Sequence, residues 1–92
     1  MIRSFKHRGL KNFHEHSNGK LLNAQHIKRI KRLLDILDTI ETVDGMNFQG
    51  SHLHELKGNR KGTWSVTVSG NWRLTFRFVE GNAYDVNLED YH

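Results

Sequence analysis

The sequence predicts an α+β domain: two N-terminal helices packed on a small, mostly antiparallel β-sheet. Three observations predict it. Ile27, Ile30, Leu33, Leu34, Leu37 and Ile40 recur at three- and four-residue steps, the spacing of one helix face. After residue 62, apolar and polar residues alternate with the period of two that strands show. Two tight turns, SGN at 69–71 and EGN at 80–82, cut that stretch into successive strands. A chain of 92 residues suits one domain, 1–92, with a modest core.

Each element has its own local reason. Residues 2–6 (IRSFK) alternate weakly and suit an edge strand. Residues 8–16 form a first short helix carrying Leu10 and Phe13, and SNGK at 17–20 a loop. Asn23 is a natural N-cap for the second helix, and Gly45 a natural stop after it. LHELK within 51–62 suits a short strand and KGNRKG a basic turn. Leu53 and Leu56 fall on opposite strand faces, so a bulge or early turn is expected there.

TWSVTV, WRLTFRF and AYDVNL then pair in order. A two-residue first loop would set the apolar residues of one strand against the polar set of the next. Three-residue loops, with a left-handed third residue that Asn tolerates, remove that conflict. The expected pairs are Val68–Trp72, Val66–Leu74 and Trp64–Phe76, then Phe78–Tyr84, Phe76–Val86 and Leu74–Leu88. The opposite face would display Thr63, Ser65 and Thr67, then Arg73, Thr75 and Arg77, then Asp85, Asn87 and Glu89. Arg77 would oppose Asp85, and Arg73 would oppose Glu89. This register also carries the terminal Asp90, Tyr91 and His92 toward Arg73.

Composition narrows the function. No cysteine is present, which excludes disulfides, thiol catalysis and Cys-type zinc sites. No apolar run would span a membrane, and MIRSFKHRGLKNF lacks the apolar centre of a signal peptide, so a cytoplasmic location and no membrane partner are expected. The net charge of +4 is unevenly spread. Residues 1–34 carry nine Lys/Arg against Glu15 alone, whereas 35–92 carry five against nine acids. A basic half suits a polyanion. In the second helix Lys28, Arg29, Lys31 and Arg32 precede Asp35 and Asp38, against the preference of the helix dipole. That order reads either as a solvated face or as a patch that meets phosphates.

His54, Lys57, Arg73, Asp90, Tyr91 and His92 suit one metal-free reaction, cleavage of RNA through its own 2′-hydroxyl. A base removes the 2′ proton, an acid protonates the leaving 5′ oxygen, and cations stabilise the phosphoryl oxygens. Each residue also has an ordinary reading: a strand histidine, a turn lysine, a cross-strand partner of Glu89, a loose tail. His14-x-His16 and His52-x-His54 resemble metal pairs, but zinc wants about four ligands. No metal and no cofactor are expected. The glycines are turn glycines, and no GxxxxGK[ST] phosphate loop occurs.

LHELKGNRKGTWSVTVSGNWRLTFRF (53–78), AYDVNLEDYH (83–92) and MIRSFKHRGLKNF together resemble the HigB toxins, a branch of the RelE superfamily of type II toxin–antitoxin systems. The resemblance implies a RelE-like fold, with the active site on the concave side of the sheet. It implies a ribosome-dependent endoribonuclease that cuts mRNA in the decoding site and arrests translation. His54 and Lys57 match the LHxLK histidine and lysine, Arg73 the NWR arginine, and Asp90, Tyr91 and His92 the terminal DYH. Implied partners are a HigA-type helix-turn-helix antitoxin, the 70S ribosome and mRNA, with operator DNA reached only through the antitoxin complex. The basic residues at 28–32 would then serve ribosomal RNA or the antitoxin. Glu55 stands where a proline is often expected, and it could pair with Arg60. Alternatives are a non-catalytic ribosome- or RNA-binding translation inhibitor and a degenerate toxin kept as a repressor partner.

Overall fold

The computed structural model describes residues 1–90. Helix α1 spans Arg8–His16 and helix α2 Ile27–Thr39; strands β1 (His54–Glu55), β2 (Thr63–Ser69), β3 (Trp72–Val79) and β4 (Asn82–Asp90) follow. The strands form an antiparallel sheet in the order β1-β2-β3-β4. The expected 2–6 edge strand reaches the sheet only through two parallel bridges to β4, Ile2–Ala83 and Phe5–Val86.

The α+β expectation holds because both periodicities bury the same core. Ile30, Leu33, Leu34 and Leu37 of α2 are at most 1% exposed, as are Leu10, Val66, Leu74, Phe76 and Val86. The helices therefore cover one face of the sheet. Truncating Leu34 to Ala would cost about 2–5 kcal/mol through lost burial and a residual cavity.

Side chains cap α1 and the 3₁₀ turn that leads into α2. The Nδ1 of His7 accepts from the Leu10 N–H at 3.2 Å and begins α1. Asn23 accepts from the Gln25 N–H at 2.9 Å, opening a 3₁₀ turn, Ala24–His26, that runs into α2. Gly45 does not end α2. The helix stops at Thr39, and Ile40 turns extended at φ −73°, ψ 150°. Gly45 sits in a later 3₁₀ turn, where an added Cβ would collide with the Ile40 side chain. The glycine is needed for close approach, not for a left-handed cap.

The register is as expected in mid-strand and differs at the tips. Trp64–Phe76, Val66–Leu74, Leu74–Leu88 and Arg73–Glu89 oppose one another. Val68–Trp72 does not form: Ser69 opposes Trp72 across a two-residue loop, and Val68 is extra between Thr67 and Ser69. The left-handed residue there is Gly70, at φ 54°, in place of the expected Asn. The second loop is Glu80–Gly81, with both residues at positive φ, the signature of a type I′ turn. Arg77 consequently opposes Tyr84 rather than Asp85, and Phe78 opposes Ala83 rather than Tyr84. Phe76 faces a bulge on β4, where Asp85 takes φ 54° and Val86 stays buried. The conflict between loop length and apolar alternation is thus absorbed by β-bulges inside the strands, which twist and re-aim them.

Candidate active site

One polar row crosses the whole sheet. His54 opposes Ser65, Ser65 opposes Thr75, and Thr75 opposes Asn87. Directly opposed residues share a face, so these four side chains line the side away from the helices. Thr67, Arg73 and Glu89 form the next row on that face, and Thr63, Arg77 and Tyr84 the row on the other side. His54 and Arg73 are two strands and two residues apart, about 12 Å between Cα atoms on ideal strand spacing. Long side chains span such a gap around a phosphate.

β1 is shorter than LHELK suggests, because the chain leaves the ladder after Glu55. The Leu56 N–H still donates to the Thr63 carbonyl at 2.8 Å. The basic turn follows as expected. Lys57 precedes a 3₁₀ turn, Gly58–Arg60, with Gly58 at φ 69° and Gly62 at φ 95°. Glu55 accepts from the Gly62 N–H at 2.8 Å rather than pairing with Arg60. His54 and Lys57 are exposed and share a pocket of about 300 Å³ with Glu55, Leu56 and Arg60.

The His54 ring has a defined polarity. Its Nδ1 lies 3.0 Å from the His52 carbonyl, which can only accept. In the neutral ring Nδ1 therefore carries the proton, and Nε2 keeps its lone pair. That arrangement presents a proton acceptor to the exposed side of the strand.

Arg73 and Glu89 oppose each other but are not ion-paired. The Arg73 Nη1 donates to the carbonyls of Gly70 and Trp72, the latter at 3.1 Å. Glu89 is bound by Arg60: Nη1 to Oε1 at 2.9 Å and Nη2 to Oε2 at 2.6 Å. Thr75 Oγ1 also donates to Glu89. Hydrogen bonding from Arg60 is the main reason that the Glu89 carboxyl sits below its usual range; burial opposes this, while Thr75 and the Arg60 and Lys6 charges add to it. Arg60 was not among the sequence candidates; its only sequence signal is its place in the basic turn. A second pocket of about 170 Å³ lies beside it, lined by Lys6, Arg77, Asp85 and Glu89 among others. Ser65 adds an oddity, since its buried Oγ has no hydrogen-bond partner among the described residues.

Asp90 ends β4 opposite Trp72, one residue along from Arg73; strand alternation therefore puts it on the other face from Arg73 and His54, and it is exposed. Tyr91 and His92, the other two tail candidates, lie outside the described residues. Among the described residues, no group of three or more His, Asp or Glu could hold a metal ion.

The basic residues of α2 are elsewhere. The helix packs on the apolar face, so they lie across the sheet from His54. Arg29 donates to the Gly50 carbonyl at 3.1 Å and the Thr67 carbonyl at 3.3 Å. The guanidinium carbons of Arg29 and Arg32 stand 5.7 and 5.4 Å from the Phe48 ring centre, within cation–π range. Lys31 pairs with Asp35 at 2.9 Å, exposed on both sides. Lys28 is exposed. No helix among the described residues is long and apolar enough to cross a membrane.

Comparison with known proteins bears on family and fold. Residues 3–92 match the family described as the RelE-like toxin of the type II toxin–antitoxin system HigB. The chain is 48% identical, over the full length of both proteins, to "Endoribonuclease HigB" of Proteus vulgaris. It superposes with a TM-score of 0.64 on the Staphylococcus aureus YoeB–YefM toxin–antitoxin complex, at 20% identity, covering 100% of this chain and 95% of that one. On a point mutant of YafQ from E. coli the TM-score is 0.61, at 16% identity, covering 98% and 91%. Those two likenesses speak for the fold alone. The profile match and the full-length identity place the chain in a family: it is a member of the RelE-like HigB toxins of type II toxin–antitoxin systems.

Proposed function

We propose that this protein is an endoribonuclease toxin that cleaves mRNA in the decoding site of the ribosome, by metal-independent attack of the 2′-hydroxyl. What supports this most is that His54 and Arg73 lie on one sheet face, with Lys57 in the turn just after β1 and β4 ending beside Arg73, in a chain 48% identical to an endoribonuclease. The 2′ oxygen loses its proton to a base, bonds to phosphorus and expels the 5′ oxygen, which takes a proton from an acid. The products are a 2′,3′-cyclic phosphate and a 5′-hydroxyl. His54 Nε2, Asp90 and His92 are the proton-transfer groups in this reading. Lys57 and Arg73 neutralise the phosphoryl oxygens, the arginine through a two-pronged grip. Tyr91 stacks on a base or donates to the phosphate.

Lys28, Arg29, Lys31 and Arg32 supply a charged surface on the other side of the sheet, toward ribosomal RNA or the antitoxin. The antitoxin is a HigA-type helix-turn-helix protein, and operator DNA is reached only through the complex. The test is to map RNA 5′ ends after induction. Codon-phased breaks with 5′-hydroxyl ends are expected, and His54→Ala or Arg73→Ala should relieve growth arrest in a folded protein. Intact message under full arrest would favour a non-catalytic ribosome binder. Undiminished toxicity of the Asp90→Ala/His92→Ala double variant would remove the tail from the mechanism.

A further inference from the structure

The candidate groups come from two ends of the sheet. His54 and Lys57 belong to β1 and the turn after it, whereas Asp90 ends β4. β2 and β3 lie between, so β1 and β4 are about 14 Å apart at ordinary strand spacing and share no ladder. The 54–62 segment nevertheless reaches β4, through the guanidinium of Arg60 on the Glu89 carboxylate. The contact is two-pronged and half-buried, and Thr75 on β3 secures the same carboxylate. Such a fork fixes orientation as well as distance.

The segment that Arg60 anchors is internally braced. Glu55 accepts from Gly62, Leu56 donates to Thr63, and the Arg60 N–H donates to the Lys57 carbonyl at 3.4 Å. A force at Arg60 therefore reaches Lys57 and the end of β1 through a few local bonds. Glu89 in turn directly precedes Asp90 and opposes Arg73.

Building on the nuclease reading, we infer that Arg60 and Glu89 are positioning residues: their ion pair docks the 55–62 turn on β4 and sets His54 and Lys57 in register with Arg73 and the end of β4. Neither touches the reacting phosphate. The carboxylate holds both terminal nitrogens of Arg60, which makes it a clamp rather than a substrate cation.

Two readouts test this. In ¹⁵N spectra, Glu89→Gln, which keeps shape and removes charge, should shift or broaden the amides of residues 56–60 and leave those of α2 in place. Unchanged 56–60 amides would overturn the clamp, and this readout needs no cleavage. In single-turnover cleavage of ribosome-bound mRNA, Arg60→Ala and Glu89→Gln should each slow the step about tenfold at saturating ribosome, with half-saturation within twofold of wild type. The double variant should be no slower than the worse single one, and Arg60→Lys should recover part of the rate while keeping the fold. A raised half-saturation at normal rate would make Arg60 a substrate-binding cation and overturn the inference, as would losses that multiply in the double variant. Failure of the wild-type protein to cut would fall on the proposed function alone, since the amide readout stands without it.

Discussion

Replacing Arg29 separates a structural arginine from a surface patch. Arg29 sits among four basic residues of α2, yet its Nη2 reaches the carbonyls of Gly50 and Thr67 and its guanidinium lies against Phe48. A hydrogen bond from a charged donor contributes about 1.5–3 kcal/mol when well buried. These two are at 3.1 and 3.3 Å, and the Gly50 contact is exposed, so they are discounted to about 1.5 kcal/mol together. The ring contact adds about 0.5 kcal/mol. Arg29→Ala should therefore cost about 2 kcal/mol, a drop of roughly 10 °C in Tm for a domain of this size. Lys28→Ala, on the exposed side of the same turn, should stay within about 0.5 kcal/mol. Thermal and urea denaturation of both variants, beside ribosome binding, makes the check. An Arg29→Ala protein that melts within 2 °C (roughly 0.4 kcal/mol) of wild type would refute this account. So would Lys28→Ala costing as much.

Three further outcomes are expected. Burial lowers the His7 pKa below 6.5, and its neutral Nδ1 caps α1; the unfolded chain then binds the proton more readily, so this stabilisation is present above about pH 6.5 and is lost as pH falls from there toward the folded value. Melting at pH 7.5 and 5.5 should show that loss in wild type and a smaller one in His7→Asn, which keeps a cap without titrating. Ser65→Ala removes a buried hydroxyl that has no partner among the described residues and should raise stability by about 1 kcal/mol, read from the urea midpoint; a clear loss would mean that the hydroxyl is bonded in solution. Asp85 holds φ 54° inside the β4 bulge, where a β-branched residue is strained, so Asp85→Val should cost about 1–2 kcal/mol and Asp85→Gly far less, measured side by side.

Much of the fold was legible because its signals are periodic. The α2 face and the alternation in β2 to β4 each repeat many times, and a single slip would expose the whole apolar set. Leu74–Leu88 and Arg73–Glu89 followed directly, and with them the ending of β4 beside Arg73. The hairpin tips did not follow. Loop and bulge offer two ways to absorb one extra residue, and both satisfy the same pattern. Turn geometry chose the bulge, with Glu80–Gly81 in the mirror-image turn that matches strand twist.

By itself the sequence determined the fold class, the buried side of each element, and the family, the last through motifs spread from one end of the chain to the other. Only the tertiary structure decided which charges are committed. Arg60 reaches Glu89 across 29 positions, and Arg29 reaches Thr67 across 38. Neither contact repeats along the chain, so no periodicity announces it. Each exists because packing brings a turn or a helix over one particular strand, and the free energy that selects it belongs to the whole assembled core.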